Sequence, residues 1–341
     1  MSKNHKHNSK SNPKNNPAKK EARKEVRKTV PHTEGIKVDF LAKANIFTGL
    51  SILLVLVSLV LIFAKGFNYG IDFSGGTEVQ VLFNKAVTTD KVRDFTKELG
   101  YKSASVQSLG EENSEYLIRM ESIEAATDKE TNNLINALID KVTSGLKATF
   151  SDSNPEIRRV DSVGPQVGNE LKKNGLLAIF YSLLMVLIYI GLRFDYKFAP
   201  AAVFCLFHDT IITLGVYALL QKEVNVQTLA AILTIIGYSL NDTIITFDRI
   251  RENTGNILFR DWNFHDLVNR SLNDVLSRSL LTSFTTLIAV LAMYFIAGGV
   301  IRDFAFTLGI GIVVGTYSSI YIASPLVILI DHWETAKAKA S

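Results

Sequence analysis

Tyr238-Ser-Leu-Asn-Asp-Thr-Ile-Ile-Thr-Phe-Asp248 closes an apolar run that begins near Leu229. The run has the composition of a membrane-spanning helix, yet it holds a carboxylate, Asp242. A charge in that setting costs about 2.5–3.5 kcal/mol on insertion scales, so it marks a functional site by default. Tyr238 and Ser239 lie one turn behind Asp242 and Thr246 one turn ahead, which makes a polar stripe on an apolar helix. Such a stripe faces protein or water, not lipid. Reading this stretch as a span decides the fold, because other apolar runs of the same kind then count as spans.

Those runs are Ile46–Phe63 and, after a gap of roughly a hundred residues, about 175–192, 199–219, 279–297 and 304–330, with the quoted span at about 227–247. The expected class is a polytopic α-helical membrane protein with six transmembrane helices. The last run is long enough to tilt or to include an interfacial turn. Six spans place both termini on one side. Arg193, Lys197, Arg249, Arg251, Arg260, Arg270, Arg278, Lys337 and Lys339 flank the spans on that side, against Lys222 and Arg302 on the other. The excess makes both termini cytoplasmic.

The chain of 341 residues thus divides into a disordered basic cytoplasmic tail (1–44), a first transmembrane helix (45–66), an extracytoplasmic domain (67–173), the other five helices of the bundle (174–331) and a short cytoplasmic tail (332–341). Residues 1–45 hold twelve Lys/Arg and four acids, and the remainder has 25 basic and 29 acidic residues. The basicity belongs to the tail, so it gives no sign of a nucleic-acid partner. The tail is too long and too charged for a signal peptide and lacks a small-residue cleavage site. It suits anionic lipid headgroups. The single cysteine, Cys205, allows no internal disulfide. No Cys/His cluster suggests a metal, and no cofactor or nucleotide motif is visible.

The outer domain has a readable order. Thr77–Phe83 alternates as a strand, Thr89–Leu99 is a helix with Thr89 as N-cap, and Ala104–Leu109 and Tyr116–Met120 are strands around the turn Gly110-Glu-Glu-Asn113. Asp128–Leu146 is a helix with Leu134, Leu138 and Val142 on its inner face, and Glu156–Val163 is a last strand. The order βαββαβ predicts a small α+β ferredoxin-like domain, with no catalytic constellation in it. Asp261–Ser277, with Trp262, Leu267, Val268, Leu272, Val275 and Leu276 on one face, predicts an amphipathic helix at the cytoplasmic interface leading into the fifth span. Gly311-x-x-x-Gly315 allows close helix approach. Asp72-Phe-Ser-Gly-Gly-Thr77 lacks the Lys-Ser/Thr ending of a phosphate loop and reads as the turn into the first strand.

Two pairs can carry chemistry. Asp242 lies four to six residues from the cytoplasmic end of its span, about 6–9 Å deep at ~1.5 Å per residue. Arg278 starts the next span at a similar level, with Thr282 and Thr285 on its face. An acid and a base at one depth fit a proton or ion relay. Arg278 paired with Asp274, or snorkelling to headgroups, is the structural alternative. His208 and Asp209 lie mid-span, where they serve either as a titrating pair or as a hydrogen-bonded pair inside the bundle.

Four stretches resemble a known family. Gly70-Ile-Asp-Phe-Ser-Gly-Gly-Thr77 is similar to the signature after the first span of SecD and SecF proteins, with Asp72, Gly75 and Gly76 as its fixed points. Val163-Gly-Pro-Gln-Val-Gly168, with Gly164 and Pro165, resembles their second signature. Tyr238-Ser-Leu-Asn-Asp-Thr243 with Phe247-Asp-Arg-Ile-Arg-Glu-Asn253 resembles the fourth-span motif of the SecF branch, and Ser277-Arg-Ser-Leu-Leu-Thr-Ser283 its fifth. The likeness covers about residues 40–332. It implies a non-enzymatic subunit of the Sec protein-export machinery. That subunit acts with SecD, as half of an RND-type bundle, and uses the proton-motive force in late translocation across the plasma membrane. SecD, the SecYEG channel, the YidC insertase and the translocating preprotein are the implied partners. Asp242 and Arg278 take the family's intramembrane acid and arginine, His208-Asp209 also fits the pattern, and Tyr238, Asn241, Thr243 and Thr282 are supporting polar residues. An RND-type exporter of lipids or small molecules, and a purely structural partner of SecD, are the competing readings.

Overall fold

The computed structural model of the protein describes residues 38–109, 114–121 and 128–340. The basic tail up to residue 37 and the Gly110–Asn113 turn lie outside the described residues. Among the described residues, six helical stretches are long and apolar enough to cross a membrane: Leu41–Lys65, Pro165–Arg193, Phe198–Leu220, Val226–Gly255, Phe264–Ile296 and Gly299–Ala338. The chain is a multi-pass membrane protein.

Helix α1 (Ala44–Lys65) leads through β1 (Asn68–Tyr69) and the single helical turn α2 (Ile71–Ser74) into a four-stranded domain. That domain runs β2 (Gly76–Leu82), α3 (Thr89–Glu98), β3 (Ser105–Ser108), β4 (Glu115–Met120), α4 (Asp128–Thr149) and β5 (Glu156–Val163). The sheet order is β3-β4-β2-β5 and every neighbouring pair is antiparallel. This is the split βαβ arrangement of a ferredoxin-like domain. The inward residues Val79, Val81, Tyr116, Ile118 and Met120 alternate along β2 and β4 and close a core with Val92, Phe95, Leu138, Val142 and Leu146. Leu134 is left out of it and stands exposed on α4. Thr89 is the first residue of α3; the cap position belongs to Thr88, whose side chain makes no capping bond.

Helix α5 (Pro165–Arg193) returns through the bundle, followed by α6 (Phe198–Leu220), β6 (Glu223–Val224) and α7 (Val226–Gly255). The short β6 pairs in parallel with β1, which ties the α6–α7 loop to the root of the sheet domain. Then come α8 (Phe264–Ile296) and α9 (Gly299–Ser318). The predicted helix over 261–277 leads into the fifth span as expected, starting at Phe264, but its apolar face is buried and not laid on the interface. Its apolar residues Leu267, Val268 and Leu272 belong to the first part of α8 and are buried with Phe40, Leu41, Phe198 and Phe247 in the core of the bundle. Asn263 caps α8 by accepting from the Asp266 N–H at 2.7 Å, and no Gly or Pro interrupts the next 33 residues.

The last span does break. A π turn over Ser319–Ala323 separates α9 from α10 (Ser324–Ala340). Pro325 is the cause: it has no N–H for the Tyr321 carbonyl four residues back, and its ring crowds that position. Two side chains repair the turn. Thr48 of α1 donates to the freed Tyr321 carbonyl at 3.1 Å, and Ser324 donates to the Ser319 carbonyl at 3.0 Å.

The turn expected at Asp72–Thr77 contains the helical turn α2, followed by Gly75 at φ +73°. A Cβ on Gly75 would lie 2.9 Å from the Pro165 backbone, so the two glycine-rich signatures are packed face to face. Asp72 accepts from the Val226 N–H at 3.0 Å, at the start of α7.

Candidate functional site

Close packing of α9 on α7 builds the site. A Cβ on Gly311 would collide with Ile235, and one on Gly315 would lie 3.0 Å from Ser239 Cβ. The Gly-x-x-x-Gly spacing therefore removes two side chains where the helices cross. The hydroxyls just beyond it on α9 come within reach of acids on neighbouring helices.

Asp209 is 1% exposed, in the middle of α6, and both its oxygens are used. Its Oδ2 accepts from Ser239 of α7 at 2.6 Å and from Ser318 of α9 at 2.9 Å. Its Oδ1 lies 2.8 Å from His208 Nδ1. Three helices thus converge on one carboxylate. His208 Nε2 is buried and has no hydrogen-bond partner. The Cys205 thiol, one turn earlier, donates to Ser318 Oγ at 3.2 Å.

Asp242 is 2% exposed but poorly satisfied. Its Oδ2 accepts a long bond of 3.3 Å from Ser283 of α8, and its Oδ1 is buried with no partner. Ser283 in turn accepts from Thr316 of α9 at 2.7 Å. Tyr238 and Ser279 hydroxyls are also buried without a partner. Helix α7 continues to Gly255, so Asp242 sits near the middle of the helix. The contrast between the two acids is chemical. An unmet buried carboxylate oxygen is costly, whereas the Asp209 carboxylate has two hydroxyl donors and an imidazole nitrogen within hydrogen-bond reach.

Arg278 stands exposed at the surface of α8, near enough for its charge to act on Asp242 but with no direct ion pair to it. The alternative partner Asp274 is already engaged: Arg249 Nε and NH2 reach its Oδ2 at 2.9 and 2.8 Å, and Arg270 reaches its Oδ1 at 3.0 Å. Asn253 adds a bond to Ser271 at 2.9 Å. The Asp-Arg-Ile-Arg-Glu-Asn stretch thus bolts α7 to α8 and sets the facing of Asp242 and Ser283. Thr243 is buried, whereas Asn241 is exposed and turned away from Asp242. Thr282 spends its hydroxyl on the carbonyls of Arg278 and Ser279 in its own helix. Ser283, the next residue, takes the role expected of it.

A second charged cluster joins the domain to the bundle. Arg119 of β4 pairs with Glu223 of β6 and with Glu78 of β2 at 3.3 Å. Burial pushes the Glu78 carboxyl above its ordinary value, with the Glu223 charge adding to the effect, and Arg119 only partly offsets them.

The chain is similar to known proteins. Residues 141–333 match the family described as protein export membrane protein SecD/SecF, C-terminal, and residues 60–87 match the SecD/SecF GG motif. The protein translocase subunit SecF of Calditerrivibrio nitroreducens is 44% identical over 86% of this chain and 94% of its own. The protein translocase subunit SecDF of Thermus thermophilus is 39% identical over 86% of this chain and 38% of its own. The crystal structure of SecDF from Thermus thermophilus, titled a translocon-associated membrane protein, aligns with a TM-score of 0.74 and 37% identity, covering 88% of this chain and 39% of that one.

Proposed function

The chain belongs to the SecF branch of the SecD/SecF family of protein-export membrane proteins, and from that membership we propose that it couples a proton gradient to export through Asp242. It is a subunit of the Sec protein-export machinery, with SecD as its partner there; in the SecDF relatives the matching region is one part of a longer chain. The SecYEG channel, the YidC insertase and the translocating preprotein are the further partners in this reading. In this reading it is an accessory subunit and not an enzyme.

The proposed placement is the plasma membrane, with both termini cytoplasmic, residues 67–173 outside, and 1–44 and 332–341 as cytoplasmic tails. The Lys/Arg excess in the short loops supports that sidedness. A cysteine at the exposed position Ser105 then reacts with an impermeant thiol reagent on intact, permeabilised-wall cells. Reaction only after lysis reverses the orientation.

The observation that carries the mechanism is the buried, unpartnered Oδ1 of Asp242. Ionised, Asp242 draws on Arg278 and Ser283; protonated, it no longer needs either. Each proton therefore changes the balance between two packings of α7, α8 and α9. His208 and Asp209 extend the relay through Ser239, which lies one turn from Asp242. The test is export of a reporter by Asp242→Asn, with and without an uncoupler, at matched membrane levels. Loss of the uncoupler-sensitive part supports the relay. An Asn variant that keeps it leaves only a docking role beside SecD.

A further inference from the structure

The chain has six histidines. Three of them, His5, His7 and His32, precede the described residues. The other three, His208, His265 and His332, are far apart in sequence yet line one groove of about 910 Å³ between α1, α6 and α10. They do not gather to hold a metal: the described residues contain no such group. Instead they are spread along the groove. His265 lies in the first turn of α8 and His332 midway along α10, both exposed. His208 lies at the far end, buried, hydrogen-bonded to Asp209 through one ring nitrogen and unpartnered at the other.

The α6 and α10 walls between these ends are apolar, with Val203, Phe204, Phe207, Leu326 and Leu329 among them, and the α1 wall alone is graded. On α1, Asn45, Thr48 and Ser51 fall on one face at successive turns, and Ile52, Val55 and Leu56 follow. The polar part spans about 9 Å at ~1.5 Å per residue. It stops at the level of His208. There Ser51 shares a 2.8 Å bond with the Tyr317 hydroxyl, and the Tyr317 ring stacks near the His208 ring at 6.4 Å. Groups facing His208 are Asp209 on its own helix, Tyr317 on α9, and Ser51 on α1. Tyr321 of the π turn lies against Tyr317, His265 and His332 are the titratable groups of the mouth, and no Lys or Arg lines the groove. Imidazoles exchange protons near neutral pH, and hydroxyls bridge them to water.

We propose that this groove is the route by which protons leave His208 and Asp209 toward the side carrying both chain ends. It rests on the proton-coupled reading of the bundle but adds where protons leave and on which side. Asp242 does not line the groove; its one hydrogen-bond partner among the described residues is Ser283 on α8.

The test uses the full chain in oriented proteoliposomes, with Cys205→Ser as background. Single cysteines are placed in the groove (Val203→Cys, Thr48→Cys) and on the outer, non-lining face of α1 (Leu53→Cys). A charged methanethiosulfonate reagent reacts only with hydrated thiols. The expected result is reaction at Val203→Cys from the side of the termini, at least tenfold faster than at Leu53→Cys. Thr48→Cys repeats the reading at a second depth. A groove filled by lipid chains gives no such difference, and that result overturns the proposal, as does reaction from the sheet-domain side alone. A second readout is the ¹⁵N titration of His208 with the two compartments at different pH. It should follow the termini side; failure to do so removes the proton route even if the groove is wet. Neither readout depends on export, so an uncoupler-sensitive Asp242→Asn variant would sink the relay and leave this result standing.

Discussion

Asp209 and Asp242 make opposite predictions although both are buried acids in apolar helices. Removing the Asp209 carboxylate strands the Ser239 and Ser318 hydroxyls and the His208 ring nitrogen. We predict that Asp209→Ala destabilises the bundle by about 1–3 kcal/mol, the usual cost of buried groups left without partners. Asp209→Asn, which keeps an acceptor oxygen, should cost less; equal unfolding midpoints for the two in detergent would refute the shared-acceptor role. Glu78 gives a pH prediction. Its folded carboxyl is raised by burial, so the folded chain holds its proton more tightly than the unfolded one. Stability therefore falls as pH rises above the ordinary carboxylate value of 4.5 and through the raised one. Glu78→Gln should raise the melting midpoint at pH 8, by an amount that shrinks toward pH 4.5. A constant difference across that range would show that ionisation is not the cause. At this scale the acids were legible in the sequence, because a carboxylate in an apolar run is expensive and conspicuous. Their hydroxyl partners were not. Single Ser and Thr residues are unremarkable in membrane helices, and choosing Ser283 over Thr282 needs the helix rotation that only packing supplies.

Helix pairing follows from small residues and from the motif at the end of α7. Gly311→Leu should force α9 off Ile235, with an overpacking cost of about 1–3 kcal/mol. Because Ser318 moves with α9, Cys205 should become reactive to a small membrane-permeant thiol reagent in that variant; an unreactive Cys205 would mean that α9 tilts without letting go of Asp209. Span positions and the Gly-x-x-x-Gly contact were readable from apolar length and spacing. The burial of the amphipathic segment at the start of α8 was not, since an interfacial helix and a buried one have the same periodicity and differ only in what covers them. The strand pair β1–β6 was likewise invisible: two residues carry no pattern.

The whole molecule is a six-helix bundle with a ferredoxin-like domain inserted after its first helix. The domain was legible because its strands alternate and its order of elements admits few topologies. Its attachment was not, because Arg119 and Glu223 are a hundred residues apart and look like ordinary surface charges. We predict that Arg119→Glu loosens the domain from the bundle and that adding Glu223→Arg restores it. The readout is the spread of spin-label distances between a site on β3 and one in the α8–α9 loop. No widening in the single variant would show that the ion pair carries no load.

The attachment has a mechanical meaning. The chain passes between bundle and domain twice, at Gly66 after α1 and at Gly164 before α5. Two fixed pins leave a rigid body one freedom, rotation about the line through them, as a door has on its hinges. The contact of Arg119 and β1 with the α6–α7 loop is a third point off that line, and it works as a latch. The same loop begins α7, the helix of Asp242, at an N–H held by Asp72. Any shift of α7 along its axis therefore pulls on the latch directly, and the only motion the domain can answer with is a swing.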